Sequence, residues 1–130
     1  MGDARPDRRI RKRAEYLDIQ ASGRRVTTPS FVLLLRARAS ARDGVRFGIT
    51  VSRKVGGAVA RNRAKRLIRE AFRSVDALFA DDVDVVVIVR RPLGDAKLAD
   101  VIGEWQRAKA AILAATRRAR GGEAPPKDAR

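Results

Sequence analysis

Arg53-Lys54-Val55-Gly56-Gly57-Ala58-Val59-Ala60-Arg61-Asn62-Arg63-Ala64-Lys65-Arg66-Leu67-Ile68-Arg69-Glu70-Ala71-Phe72-Arg73 is the stretch on which the fold turns. Wound as a helix of about 3.6 residues per turn, it places Ala64, Leu67, Ile68, Ala71 and Phe72, with Val75 just beyond it, on one apolar stripe. Such a stripe predicts a helix laid against a core. Asn62, Arg66, Arg69 and Arg73 fall on the opposite side, Arg61 and Lys65 stand one turn apart on a flank beside Phe72, and Arg63 lies toward Glu70. Eight basic residues and one acid, Glu70, occupy these 21 positions. A helix face meant only for water mixes signs and gains pairs one turn apart. Here Arg66, Arg69 and Arg73 share a single acid, and they repel one another unless a polyanion arrives. The preceding Val55-Gly56-Gly57-Ala58 reads either as a flexible turn or as a place where backbone amides approach a phosphate. It lacks the Gly-Lys-Ser/Thr ending of a nucleotide-binding loop.

Outward from this helix, the pattern changes period on both sides. Val45, Phe47, Ile49 and Val51 alternate with Arg46, Gly48, Thr50 and Ser52. This predicts a strand over 45–53 with one apolar face and one small or polar face open to a ligand. Phe31 to Ala39 reads as a second strand, joined to it by Ser40-Ala41-Arg42-Asp43-Gly44, a hairpin-type connection. Beyond the helix, Val83 to Val89 is almost wholly β-branched, which predicts a central strand covered on both faces. Pro92 and Gly94 then break the chain. Residues 96–119 carry Leu98, Ile102, Trp105, Ala108, Ile112 and Ala115 at spacings of three and four, predicting one long helix. Residues 11–21 predict a short helix with sparse apolar positions, Tyr16 and Ile19, ended by Ser22-Gly23, and Val26 to Thr28 a short strand. The sum is a single α+β domain over 10–119 with one sheet. Residues 1–9 and 120–130 offer nothing to fill a core and are expected to be disordered.

Composition bounds the chemistry. Thirty Lys and Arg against 15 Asp and Glu give a formal charge of +15, and a pI near 11.6. A compact domain so charged repels itself until a polyanion neutralises it. Without Cys there are no thiolate zinc sites or cysteine nucleophiles, and without His the commonest general base and metal ligand is missing. Asp81, Asp82 and Asp84 form the only acidic cluster and read as a polar entry into a buried strand, because two-metal chemistry draws carboxylates from several elements. No catalytic residue and no protein metal ligand is therefore assigned. No apolar run nears the roughly 20 residues that span a bilayer, and Met1 to Pro6 lacks the apolar core of a secretory signal. A cytoplasmic protein is expected. A membrane-surface role is disfavoured because the helix needs its Leu, Ile and Phe for the core. A ribosomal or nucleoid-associated binding protein accommodates the basic helix.

Ser52-Arg53-Lys54-Val55-Gly56, Ala58-Val59 and Arg61-Asn62-Arg63-Ala64-Lys65-Arg66-Leu67-Ile68-Arg69-Glu70-Ala71-Phe72-Arg73 resemble the signature of the bacterial ribonuclease P protein subunit. The likeness extends to Phe31-Val32-Leu33, Phe47-Gly48-Ile49 and Val83 to Arg90, covering roughly residues 10–115. The resemblance implies the order α-β-β-β-α-β-α, a four-stranded sheet and a left-handed βαβ crossover, as in the second domain of ribosomal protein S5. It implies an accessory subunit of an endoribonuclease that matures the 5′ end of tRNA. The hydrolysis belongs to a catalytic RNA subunit with bound Mg2+, and the protein stabilises that RNA and its metal ions. Carried over by position, Arg53, Lys54, Arg61, Asn62, Arg63, Lys65, Arg66, Arg69 and Arg73 would meet RNA. Tyr16, Thr50 and Ser52 would line a cleft between the first helix and the open sheet face, holding the single-stranded leader of precursor tRNA. Gln20 and Leu34 stand where some relatives carry aromatics, so weaker base stacking is expected. Phe31 and Trp105 are expected in the core.

Overall fold

In the computed structural model of the protein, residues 9–10, 12–38 and 44–121 are described. The element order is α1 (Arg13–Ser22), β1 (Arg24–Thr27), β2 (Phe31–Ala37), β3 (Arg46–Thr50), α2 (Ala58–Val75), β4 (Val83–Val89), α3 (Leu98–Arg107) and α4 (Lys109–Arg120). The strands form one mixed sheet in the order β1-β2-β4-β3, with β4 antiparallel to β2 and parallel to β3. The chain is an α+β domain. No helix among the described residues is long and apolar enough to cross a membrane.

The hairpin expected between β2 and β3 does not form, because β4 lies between them. The reason is burial. A strand as apolar as Val83–Val89 must be paired along both edges and covered on both faces, so it takes the centre. The shorter β3, with Arg46, Gly48 and Thr50, goes to the edge. It also ends earlier than expected, at Thr50, and Arg53–Val55 turn as a short 3-10 helix. The connecting residues 39–43 lie outside the described residues.

The two faces of the sheet are sealed differently. On one, Phe31, Leu33, Leu35, Val83, Val85 and Val87 meet Ile68, Ala71 and Phe72 of α2, with Trp105 and Ile112 from the last helices. Phe72 stacks on Phe47 at 4.5 Å and on Phe79 at 4.9 Å, and Trp105 stands edge-on to Phe31, Phe72 and Phe79. The other face carries a smaller cluster, Ile10, Ile19, Val32, Leu34 and Val86, under α1.

The single helix expected over 96–119 is two, broken at Ala108. The apolar spacing is continuous, but its two halves have different partners. α3 packs on α2, whereas α4 crosses beneath β1 and β2. Neither half could reach its partner along a straight rod. Arg120, assigned to a disordered tail, is helical and pairs with Asp82 at 2.8 Å, which holds the Asp82 carboxyl below its ordinary value. At the other end Arg9, assigned to a disordered start, bridges to Phe47, and the Ile10 amide donates to the Phe47 carbonyl at 2.8 Å. Residues 1–8 and 122–130, also expected to be disordered, lie outside the described residues.

Candidate nucleic-acid interface

Helix α2 buries Ala64, Ile68, Ala71 and Phe72 and turns its cations away from them. Asn62 and Arg66 are exposed, and Lys65 and Arg69 are half-buried along the flank. Arg53 and Lys54 are exposed on the turn ahead of the helix. Ser52 caps that turn, its hydroxyl accepting from the Lys54 amide at 3.3 Å.

Three of the cations expected to meet RNA already have intramolecular partners. Arg63 does not pair with Glu70. Its guanidinium donates to the carbonyls of Gly94 at 3.0 Å and Ala96 at 2.6 Å, tying α2 to the loop before α3. Arg73 is the residue that meets Glu70, at 3.1 Å with both side chains largely exposed, a pair of small energetic weight. Arg61 donates to the Gly56 carbonyl at 3.3 Å, closing the glycine turn at the helix start. Gly56 has φ of +144°, a conformation that L side chains rarely adopt.

Tyr16 of α1 sits over β3. Its hydroxyl accepts from the Ile49 amide at 3.1 Å, occupying an outward-facing donor of the edge strand. Gly48 is what allows this approach, because a Cβ there would come within 2.4 Å of the tyrosine oxygen. At the same edge a cleft of about 330 Å³ opens, lined by Tyr16, Gly48, Lys65, Arg69 and the Arg9–Ile10 segment. Thus α1 and α2, on opposite faces of the sheet, contribute to one cavity around the end of β3. Arg69 Nε is buried with no hydrogen-bond partner among the described residues, an orphan donor of the kind a ligand satisfies. Thr50 is half-buried on β3 and Ser52 exposed beyond it, and neither lines this cleft. Gln20 is exposed, whereas Leu34 is buried beneath α1. Phe31 and Trp105 are fully buried in the main core.

Sequence reasoning missed the charge network beneath α1. Arg36 of β2, Asp84 of β4 and Arg46 of β3 lie abreast in one row of the sheet. Asp84 is completely buried. It accepts four hydrogen bonds: one from Arg36 (2.9 Å), one from Arg38 (3.2 Å) and two from Arg46 (both 2.9 Å). Burial pushes the Asp84 carboxyl up, but the bonds from Arg46 and Arg36 outweigh it and hold the group below the ordinary carboxylate range. Arg46 is raised in turn, chiefly by its bond to Asp84. With its four acceptor sites filled, Asp84 has no lone pair for a metal ion. Among the described residues no three Asp, Glu, His or Cys side chains gather where one could be held. The alternation of strand residues was the available signal, since Arg36, Asp84 and Arg46 each break an otherwise apolar or small face.

Residues 5–112 match the family model of ribonuclease P. A relative from Syntrophus aciditrophicus, a ribonuclease P protein component, is 43% identical over 96 residues, covering 74% of this chain and 79% of the relative. The ribonuclease P protein of Thermotoga maritima superposes with a TM-score of 0.70 at 32% identity, covering 80% of this chain and 96% of that one. The Staphylococcus aureus protein does so at 0.66 and 30%, covering 82% and 93%.

Proposed function

The chain belongs to the ribonuclease P protein family, and on that premise we propose that it pairs with a catalytic RNA subunit to remove the 5′ leader of precursor tRNA. The observation that carries this reading is the continuity of the free cations of α2 with the cleft holding Tyr16. Asn62, Arg66, Arg53 and Lys54 are exposed and meet the phosphates of structured RNA. Lys65 and Arg69, at the cleft wall beside Tyr16, hold a phosphate of the single-stranded leader while a base stacks on the tyrosine, worth about 1–3 kcal/mol. Arg61, Arg63 and Arg73 shape the helix and its neighbours first.

On this reading the hydrolysis belongs to the RNA subunit. Among the described residues the donor set does not fit a magnesium site, since Asp84 is saturated by guanidinium and no three carboxylates gather. On this reading Mg2+ is bound mainly by the RNA, and the protein's part is to neutralise phosphate so that the folded RNA and its ions are stable at lower ionic strength. Such work belongs in the cytoplasm. Reconstitution tests it. At low magnesium the chain restores cleavage of precursor tRNA at the mature 5′ end by the RNA subunit. Tight RNA binding without that rescue would instead make the chain a general RNA-binding protein.

A further inference from the structure

Helix α1 is poorly equipped to hold its own position. It has ten residues, no side-chain cap at its N-terminus, and one fully buried side chain, Ile19; Leu17 is half exposed. A helix this short is marginal without tertiary support. Its strongest polar ties to the sheet run through two arginines that also grip Asp84. Arg46 bonds Glu15 of α1 at 2.9 Å and Asp84 at 2.9 Å. Arg36 pairs with Asp18 of α1 and with Asp84 at 2.9 Å. Arg38, the third cation on Asp84, turns its other nitrogen to the carbonyls of Gly44 and Asp81. Three guanidiniums thus face three carboxylates, Asp84, Glu15 and Asp18, so the network is neutral inside a chain of charge +15. It does not compete for RNA. Glu15 also immediately precedes Tyr16, so the Arg46 bridge lies one residue from the aromatic at the cleft.

We infer that Asp84 is a positioning residue, which through Arg46 and Arg36 latches Glu15 and Asp18 and so fixes Tyr16 at the cleft where the leader binds. The inference rests on the leader reading given above. Apolar burial under α1 holds the helix near the sheet without fixing its rotation or advance. The two bridges meet one buried carboxylate from two strands, and together with the bond between the Tyr16 hydroxyl and the Ile49 amide that geometry sets both. The latch acts on the leader alone, because the RNA-facing cations of α2 lie on another element.

The test uses holoenzyme assembled with the RNA subunit, with affinity measured for precursor tRNA carrying its leader and for mature tRNA. The ratio of the two isolates the leader's contribution. The double variant Glu15→Gln/Asp18→Asn opens the latch at exposed or half-exposed sites and keeps the buried Asp84–arginine row, so it folds. It is expected to lose about tenfold of the leader's contribution, the size of one base stack, with mature tRNA affinity and the unfolding midpoint unchanged. Tyr16→Ala should lose a similar factor. If Tyr16→Ala lowers the ratio and the double variant keeps it, the latch is overturned and the leader reading stands. If neither variant lowers the ratio, the leader reading itself fails. An equal loss for precursor and mature tRNA in the double variant would leave the Arg46–Glu15 and Arg36–Asp18 bridges a purely structural role and also overturn the latch.

Discussion

The two faces of this sheet are held by opposite kinds of chemistry. Beneath it, five aromatic rings, Phe31, Phe47, Phe72, Phe79 and Trp105, interlock with the β-branched residues of β4. Above it, α1 rests on a few aliphatic side chains and is tied down by arginines converging on Asp84. Apolar packing is strong and non-directional, and it decides that the domain folds. Hydrogen-bonded ion pairs contribute less net stability but are directional, and they decide where an element sits. The face that carries Tyr16 over the edge strand uses the second. The same division sorts the excess charge: Arg36, Arg38 and Arg46 over the sheet are neutralised within the fold, while Arg66, Arg53 and Lys54 around α2 stay open to solvent.

Four variants probe that contrast. Phe72→Ala removes the ring at the centre of the aromatic cluster and should cost about 3–5 kcal/mol in chemical denaturation. A much smaller loss would mean that the lower face is not what secures the fold. Asp84→Asn on the upper face should cost about 2–3 kcal/mol, below the full cost of breaking a buried pair because the three arginines retain some solvent. Its sign with pH is fixed by the depressed carboxyl. A group whose folded value lies below its unfolded value of about 3.9 stabilises fully above that pH and loses the contribution as pH falls through the folded value. The gap between wild type and Asp84→Asn should therefore be constant near neutrality and close in acid. A gap that widened in acid would contradict the ion-pair assignment.

Arg63→Ala should cost about 1 kcal/mol by freeing the Gly94 and Ala96 carbonyls, with little change in the salt dependence of RNA binding. Arg66→Glu/Arg69→Glu should be the mildest for stability, within about 1 kcal/mol, yet the most damaging for RNA. Its log–log salt slope should flatten by about 2, one for each phosphate left without its arginine. Unfolding of that double variant would show that these cations support the fold.

Much of this was legible along the chain. The α2 stripe of Ala64, Ile68, Ala71 and Phe72, and the burial of β4, follow from periodicity and β-branching, which are local properties. Pairing is not local. Phe31–Ala37 and Arg46–Thr50 look like neighbours in sequence, yet β4 separates them, because the competition for the central position is settled among all four strands at once. Likewise nothing near Ala108 announces a break, which arises from the different partners of α3 and α4.

The candidate site divides along the same line. By itself the sequence determined that one helix has a greasy side and a cationic side, because 3.6 residues per turn and the identity of each side chain suffice for that. Only the tertiary structure decided which cations remain free: Arg63, Arg36 and Arg46 find carbonyls or carboxylates far away in the chain, and Arg66 finds none among the described residues. A guanidinium's availability depends on what lies within about 3 Å of it, and sequence separation says nothing about that distance.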